Sequence, residues 1–400
     1  MRDIVIIGGG AAGMAAAIRA AQRPENRVTL LERQARVGRK LLSTGNGRCN
    51  LTNMEAGVSH YHGMNPDFVR PALKAWPPER VLELFEGLGL KTVTEYGGRV
   101  YPMSDHAGSV LDVLRLALEQ TGVDVRTGSP VVGLRRRNGR FIVETEQETL
   151  TADRVIAACG GCAGSKLGGV MDGYTLLKAL GHSRTALYPA LTQLRTAPDY
   201  PRALKGIRAD AAVSLRQGKR VLAQSHGDVL FTETGLSGTA VFEISRACAG
   251  QEGLTAELCL FPEPEAELLT LLYRRRTQWA DQPANQILTG TVQSRLGQML
   301  CKYAGISGGD SIGSLSDRQL AALAAAMKAF CLPVTGVSGF EAAQVTAGGI
   351  KTDEFDPETM ESRLVPGLYA CGEVLDVDGD CGGFNLHWAW ASGLLAGEQP

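Results

Sequence analysis

The apolar run Ile4-Val5-Ile6-Ile7 opens directly into Gly8-Gly9-Gly10-Ala11-Ala12-Gly13 and then a helical stretch from Met14 to Ala21. A second β-like run, Val28-Thr29-Leu30-Leu31, ends in Glu32, nineteen residues after Gly13. Strand, G-x-G-x-x-G, helix, strand and acid in that order predict a βαβ unit that lays a dinucleotide pyrophosphate on a helix N-terminus. Each glycine has its own task. Gly8 makes the tight turn, Gly10 admits the pyrophosphate to the backbone, and Gly13 lets helix and strand approach closely. Exposed N–H groups at the positive end of the helix then hold the phosphates. Glu32 accepts from ribose hydroxyls, which disfavours a 2′-phosphorylated nucleotide.

The other terminus separates one dinucleotide from another. Leu364 to Glu373 reads as a short strand ending in Gly372-Glu373. A loop follows, Asp380-Cys381-Gly382-Gly383-Phe384-Asn385, and then a helix from Leu386 to Leu395. In FAD enzymes of the two-dinucleotide-binding-domain type, such a strand delivers a carboxylate to the ribityl hydroxyls. The next helix start faces the N1–C2=O edge of the flavin, where reduction places negative charge. A nicotinamide-binding Rossmann domain needs no such distal element.

These segments, with Gly38 to Asn50, resemble the YhiN/BaiN-like bacterial flavoproteins, the aminoacetone-oxidase-like FAD family. Gly98 to Pro102, Leu230 to Gly238, Gln344 to Gly349 and Gly383 to Gly393 carry the resemblance along the rest of the chain. It implies FAD bound by Gly8, Gly10, Ala12, Gly13, Glu32, Arg33, Lys40, Asn46, Arg48 and Val132. It further implies Gly160, Gly372, Glu373, Gly383, Phe384, Asn385 and Leu386. Two positions depart from the family pattern: Cys159-Gly-Gly-Cys162 replaces Thr-Gly-Gly, and His387 stands where Gln is expected. Both leave cofactor binding intact and put any substrate carried over from the family in doubt.

Four hundred residues exceed one ordinary domain. The expected α/β architecture is a Rossmann-like FAD-binding domain of the two-dinucleotide-binding-domain type, with an inserted small β-barrel and a helical subdomain. Residues 1–190 and 345–400 form the FAD domain, 191–261 and 331–344 the barrel, and 262–330 the helices. Within the first part, β-like runs flank Asn138-Gly139, which predicts a hairpin. Short strands at Val213, Arg220 and Val229 predict the barrel, and Leu268 to Leu272 and Leu320 to Met327 have helical spacing.

A net charge of −1 offers nothing to nucleic acid or to an anionic membrane. No apolar stretch approaches the ~18 residues of a membrane span. Nine scattered cysteines, with no leader-like N-terminus, predict a reducing cytoplasm.

A single dinucleotide fingerprint is present, so hydride comes either from the substrate or from NAD(P)H docking transiently beside the flavin. Cys159-x-x-Cys162 reads mainly as small-residue packing and secondarily as a redox dithiol. Asp376-x-Asp378-x-Asp380 lacks the Gly and Glu that a calcium loop requires, and no metal is expected. Tyr273-Arg274-Arg275-Arg276 reads as the polar face of a helix. For proton transfer the candidates are His387, Tyr101 and Cys381, with His106 weaker; His387 is preferred because it lies one turn into the last helix. The expected activity is that of an FAD-dependent oxidoreductase, with preference for an NAD(P)H-dependent reductase of conjugated enones. The alternatives are an aminoacetone-type amine oxidase passing electrons to O2, a nucleic-acid-modifying flavoenzyme and a flavin redox sensor.

Overall fold

The computed structural model describes residues 1–399, which form two compact units. The first comprises Met1–Tyr188 and the chain from Ala343 onward; the second is Pro189–Ala342.

The first unit is built on a parallel sheet ordered Leu368–Ala370, Arg154–Ala157, β1 (Arg2–Ile7), β2 (Asn26–Leu31), Asp124–Arg126. Ile4 pairs with Val28 and Ile6 with both Leu30 and Ile156. Both faces of this sheet are covered, so β1 is buried from Ile4 to Ile7 without alternation.

Helix α1 (Ala11–Ala21) packs against the C-terminal helix, Phe384–Glu398, through small residues. A Cβ on Gly393 would lie 2.4 Å from the Ala12 carbonyl oxygen, and one on Gly397 2.5 Å from that of Ala16. Backbone-to-backbone packing at this distance fixes the C-terminal helix over the start of α1. Trp388 Nε1 donates to the Gly372 carbonyl at 3.2 Å and Trp390 Nε1 to that of Leu51 at 2.8 Å, satisfying both buried indoles.

The hairpin expected at Asn138-Gly139 joins Val131–Arg137 to Arg140–Thr145, with both turn residues at positive φ. Thr149–Ala152 completes that three-stranded meander.

The second unit holds a closed six-stranded barrel, ordered Leu194–Thr196, Gly235–Ser237, Arg220–Phe231, Arg208–Gln217, Leu254–Cys259, Phe330–Val337. One expectation needs correction. The runs at Arg220 and Val229 are a single twelve-residue strand rather than two. The polar Gln224-Ser225-His226-Gly227-Asp228 between them suggests a turn. Its backbone is nevertheless paired with Arg208–Gln217, and its polarity reflects a barrel face that meets water. The helices Glu265–Gln278, Ser294–Tyr303 and Asp317–Lys328 share one apolar core with the barrel through Leu268, Leu300, Leu323 and Phe330.

Among the described residues no helix is long and apolar enough to cross a membrane. Nor does any group of three or more His, Cys, Asp or Glu side chains stand ready to hold a metal ion.

Candidate active site

A groove opens at the carboxyl end of β1, where a ligand is expected on an open α/β sheet. The three glycines of the fingerprint differ there in their surroundings. A Cβ on Gly8 (φ +109°) would sit 2.4 Å from the Ala158 carbonyl oxygen, and one on Gly13 1.8 Å from that of Gly8. One on Gly10 would meet nothing within 4 Å. Gly8 and Gly13 therefore serve the protein's own packing, while Gly10 faces open space. Gly10 is also the N-cap of α1 and supplies no side-chain cap, and the first turn holds no acid. The orphan N–H groups there suit an anion.

Of the residues anticipated for the cofactor, Gly8, Gly10, Glu32, Arg33, Lys40, Gly160 and Glu373 line this groove. Ala12 and Gly13 lie beneath it in buried α1. Gly372 is a packing residue, its N–H donating to Ser392 Oγ at 3.0 Å, and it turns Glu373 into the groove. The contact expected from this strand is one of backbone, at Val131 or Val132: the Val132 side chain points to solvent, and its buried neighbour Val131 lines the groove. Ser129, Gly168, Gly169 and Asp172 also line the groove. The only sequence signal for them was the Gly168-Gly169 pair.

The carboxylates are already engaged. Glu32 Oε2 accepts from the Gly9 N–H and Oε1 from the Gln34 N–H, both at 2.7 Å. Glu373 accepts from Lys40 Nζ at 2.6 Å and from the Thr346 N–H at 2.9 Å. Arg33 reaches Asp172 at 3.1 Å.

A second cluster surrounds the start of the C-terminal helix. A Cβ on Gly383 (φ +105°) would lie 2.5 Å from the Thr52 carbonyl oxygen, so the loop runs tightly over the short strand Thr52–Asn53. The Asn385 side chain is used within the loop itself. Its Oδ1 accepts from the Gly379 N–H at 2.8 Å and its Nδ2 donates to the Gly379 carbonyl at 2.7 Å, clamping the loop. Phe384 is buried under the ring of His60, at 4.2 Å between centroids, and Leu386 is half-buried.

Arg48 also differs from expectation. Its guanidinium pairs with Glu95 at 2.5 Å and with Asp105, and lies 4.0 Å over the Tyr101 ring. Two carboxylates therefore neutralise its charge. Asn46 is exposed and left-handed (φ 57°), on the same loop. Tyr101 is buried, which raises its phenol above the usual range, and Cys381 is half-buried on the loop. His106 caps the helix Ala107–Gln120, accepting from the Gly108 N–H, which is a structural duty.

The preferred proton donor, His387, is withdrawn from that role. Its side chain has no accessible surface; one ring nitrogen, Nδ1, is 2.8 Å from Thr52 Oγ1, and Nε2 has no partner. A group sealed on every side cannot exchange protons with a substrate. Burial lowers this imidazole from 6.5 to about 4. The folded value lies below the unfolded one, so stability is fully present above pH 6.5 and is lost as pH falls toward 4, where only the unfolded chain takes the proton. The loss amounts to about 3 kcal/mol across that window. His387→Gln is expected to remove this part of the acid destabilisation, as read by urea unfolding at a series of pH values. Parallel wild-type and variant curves would show that the imidazole already titrates in the folded state.

Two other constellations carry no chemistry. Burial pushes the Cys159 thiol up to about 12, and Cys162 Sγ packs 3.3 Å from Met171 Sδ, so neither favours a thiolate. Ser362, His182 and Glu354 form a chain of 2.9 and 2.8 Å bonds in nucleophile–base–acid order. Ser362 Oγ, however, already accepts from the Leu364 and Val365 N–H groups, and the His182 side chain is wholly enclosed.

One arrangement had no signal in the sequence. His60 Nδ1 lies 3.0 Å from Asp380 Oδ2 and His62 Nε2 2.7 Å from Oδ1. Burial raises the Asp380 carboxyl, but the bonds to His62 and His60 outweigh this and hold it below the usual carboxylate range. Three hundred and eighteen residues separate His62 from Asp380, so local pattern could not join them.

The family model described as "HI0933-like protein Rossmann domain" matches residues 2–399. The chain is 40% identical to "3-dehydro-bile acid delta(4,6)-reductase" of Clostridium scindens, covering 100% of this chain and 98% of that one. It is 30% identical to "Ribosomal RNA dihydrouridine synthase" of Escherichia coli strain K12, covering 99% and 97%. Among solved structures, 3-ketosteroid delta1-dehydrogenase from Sterolibacterium denitrificans superposes with a TM-score of 0.53 at 14% identity, covering 99% and 98%. That likeness is one of fold.

Proposed function

The chain belongs to the HI0933-like Rossmann family of flavoprotein oxidoreductases, and we propose that it reduces a carbon–carbon double bond conjugated to a carbonyl in a small organic substrate. The observation that carries this reading is the end-to-end 40% identity to a reductase whose name specifies 4,6 double bonds on a 3-oxo steroid skeleton. The 30% identical relative is named for making dihydrouridine, which requires reducing the uracil C5=C6 bond, also conjugated to a carbonyl. The two names share one chemistry on unlike substrates. A net charge of −1 favours the small molecule over RNA.

The residues present fit FAD. The open space at Gly10 and the uncapped start of α1 suit a pyrophosphate, and Lys40 and Arg33, each paired with one carboxylate, line the same groove. Glu32 and Glu373 line the groove, and they would accept from the ribose and from the ribityl hydroxyls respectively. Gly160 and Val131 would border the adenine end, and backbone N–H groups from Gly383 to Leu386 the pyrimidine edge. Bound FAD supplies hydride, which this protein's side chains cannot. The chain's own work is to position the acceptor carbon, exclude water, and place a proton on the neighbouring carbon. With one dinucleotide fingerprint, NAD(P)H serves as a donor that docks and leaves.

The test is anaerobic. FAD-loaded protein is reduced with NADPH or NADH, then mixed with cyclohexenone, a 3-oxo-Δ4 steroid, uridine or an RNA transcript. Rapid reoxidation by an enone, with the saturated ketone as product, is the expected result. Reoxidation only by RNA, or flavin reduction by an amine with peroxide formed once air is admitted, would overturn the reading.

A further inference from the structure

His60 immediately precedes, and His62 ends, a short strand, Tyr61–His62, that pairs antiparallel with Asp378–Gly379. This pairing brings both imidazoles to Asp380, one on each carboxylate oxygen. The Asp380 N–H donates to the His60 carbonyl at 3.0 Å, and the His60 ring is stacked on Phe384, the first residue of the C-terminal helix. A Cβ on Gly63 would lie 2.2 Å from the Asp376 carbonyl oxygen, so only glycine lets the two segments meet. The three side chains are held in place yet remain about a third exposed, at 31, 35 and 29% for His60, His62 and Asp380. Rigid placement and contact with water are what a proton-exchanging group needs.

The titratable neighbours are Tyr61, Asp376, Asp378 and Cys381. Tyr61 is spent donating to the Phe384 carbonyl, and burial pushes its phenol well above the usual range. Asp376 accepts from the Met64 N–H, and Asp378 is buried opposite His62. Cys381 is half-buried next along the loop. Nothing in the cofactor groove requires the two histidines.

We propose that the His60–Asp380–His62 cluster is the proton store for the double-bond reduction, an inference that rests on the reductase reading above. As hydride from the reduced cofactor forms the C–H bond at the carbon remote from the carbonyl, the π bond breaks. Its electron pair passes to the carbon next to the carbonyl. An imidazolium N–H of the cluster breaks, its electron pair stays on nitrogen, and the proton completes the second C–H bond. Water returns the proton to the cluster when the cofactor is next reduced. Asp380 is the positioning residue, since it orients both rings and balances the charge of the loaded state.

The experiment uses FAD-loaded wild type with His60→Gln, His62→Gln and Asp380→Asn, the last keeping the size of the side chain if a histidine variant fails to fold. Photoreduced protein is mixed with cyclohexenone or with ferricyanide, which accepts electrons without a proton on carbon. Proton uptake during photoreduction is followed with a pH indicator. Reoxidation by cyclohexenone is expected to slow about a hundredfold in the His62 and Asp380 variants. Ferricyanide rates and FAD affinity should hold, and proton uptake should fall by about one per two electrons. Variants matching wild type in enone rate, pH profile and proton uptake would reduce the cluster to a loop clamp and overturn the proposal. Wild type that no enone reoxidises would instead remove the reductase reading, and the proposal with it.

Discussion

Gly13→Ala is expected to destroy the first unit's native packing, whereas Gly10→Ala, three residues earlier, should leave it intact and weaken only cofactor binding. The contrast follows from what each new methyl would meet. At Gly13 it would lie 1.8 Å from the Gly8 carbonyl oxygen, a backbone atom of the turn between β1 and α1 that cannot rotate aside. Relief requires moving α1, and the C-terminal helix rests on α1 through Gly393 and Gly397. Overpacking a core normally costs 1–3 kcal/mol; here the obstacle is backbone at both ends, and about 4 kcal/mol or more is expected. At Gly10 the methyl meets no protein atom within 4 Å, and the φ of −79° is ordinary for alanine. Apo stability should stay within about 0.5 kcal/mol, while FAD affinity falls by about two orders of magnitude as the methyl takes the pyrophosphate's space. Urea unfolding and FAD titration of both variants provide the check. Equal stability losses would overturn the packing contrast, and a Gly10 variant that binds FAD normally would show that no phosphate passes that residue.

Glu32→Ala is expected to damage both stability and cofactor retention, because this carboxylate supports the groove as well as facing it. Its two oxygens hold the Gly9 and Gln34 N–H groups at 2.7 Å in a site only 9% exposed. Hydrogen bonds to a charged group contribute ~1.5–3 kcal/mol each, and the N–H groups left behind have little water to turn to. A stability loss of about 3 kcal/mol follows, with FAD affinity reduced at least about tenfold as the ribose loses an acceptor. Glu32→Gln keeps one carbonyl acceptor and should recover about half of the stability but less of the affinity. Thermal unfolding with and without FAD separates the two losses. An alanine variant with wild-type stability would mean that those N–H groups find other partners.

The βαβ unit, the Asn138-Gly139 hairpin and the helices of the second unit were legible in the sequence because each depends on residues close in the chain. Periodicity, turn chemistry and glycine spacing act over a few residues, and the groove-lining set Gly8, Gly10, Glu32 and Lys40 inherits that locality. Glu373 was legible for the same reason: a strand ending in Gly-Glu before a glycine-rich loop is itself a local pattern. What the sequence could not give was how each side chain is used once distant segments meet. Arg48 kept its place on the loop, but Glu95 and Asp105 claimed its charge. Asn385 turned inward to Gly379. His387, chosen for its position along a helix, was sealed against Thr52, because which face of that helix is covered depends on strands more than 300 residues away. The His60–Asp380–His62 cluster exists only because Tyr61–His62 pairs with Asp378–Gly379. Short-range chain stiffness and apolar period thus determined the fold and the cradle, while long-range pairing and burial decided which titratable groups stay wet enough to move a proton.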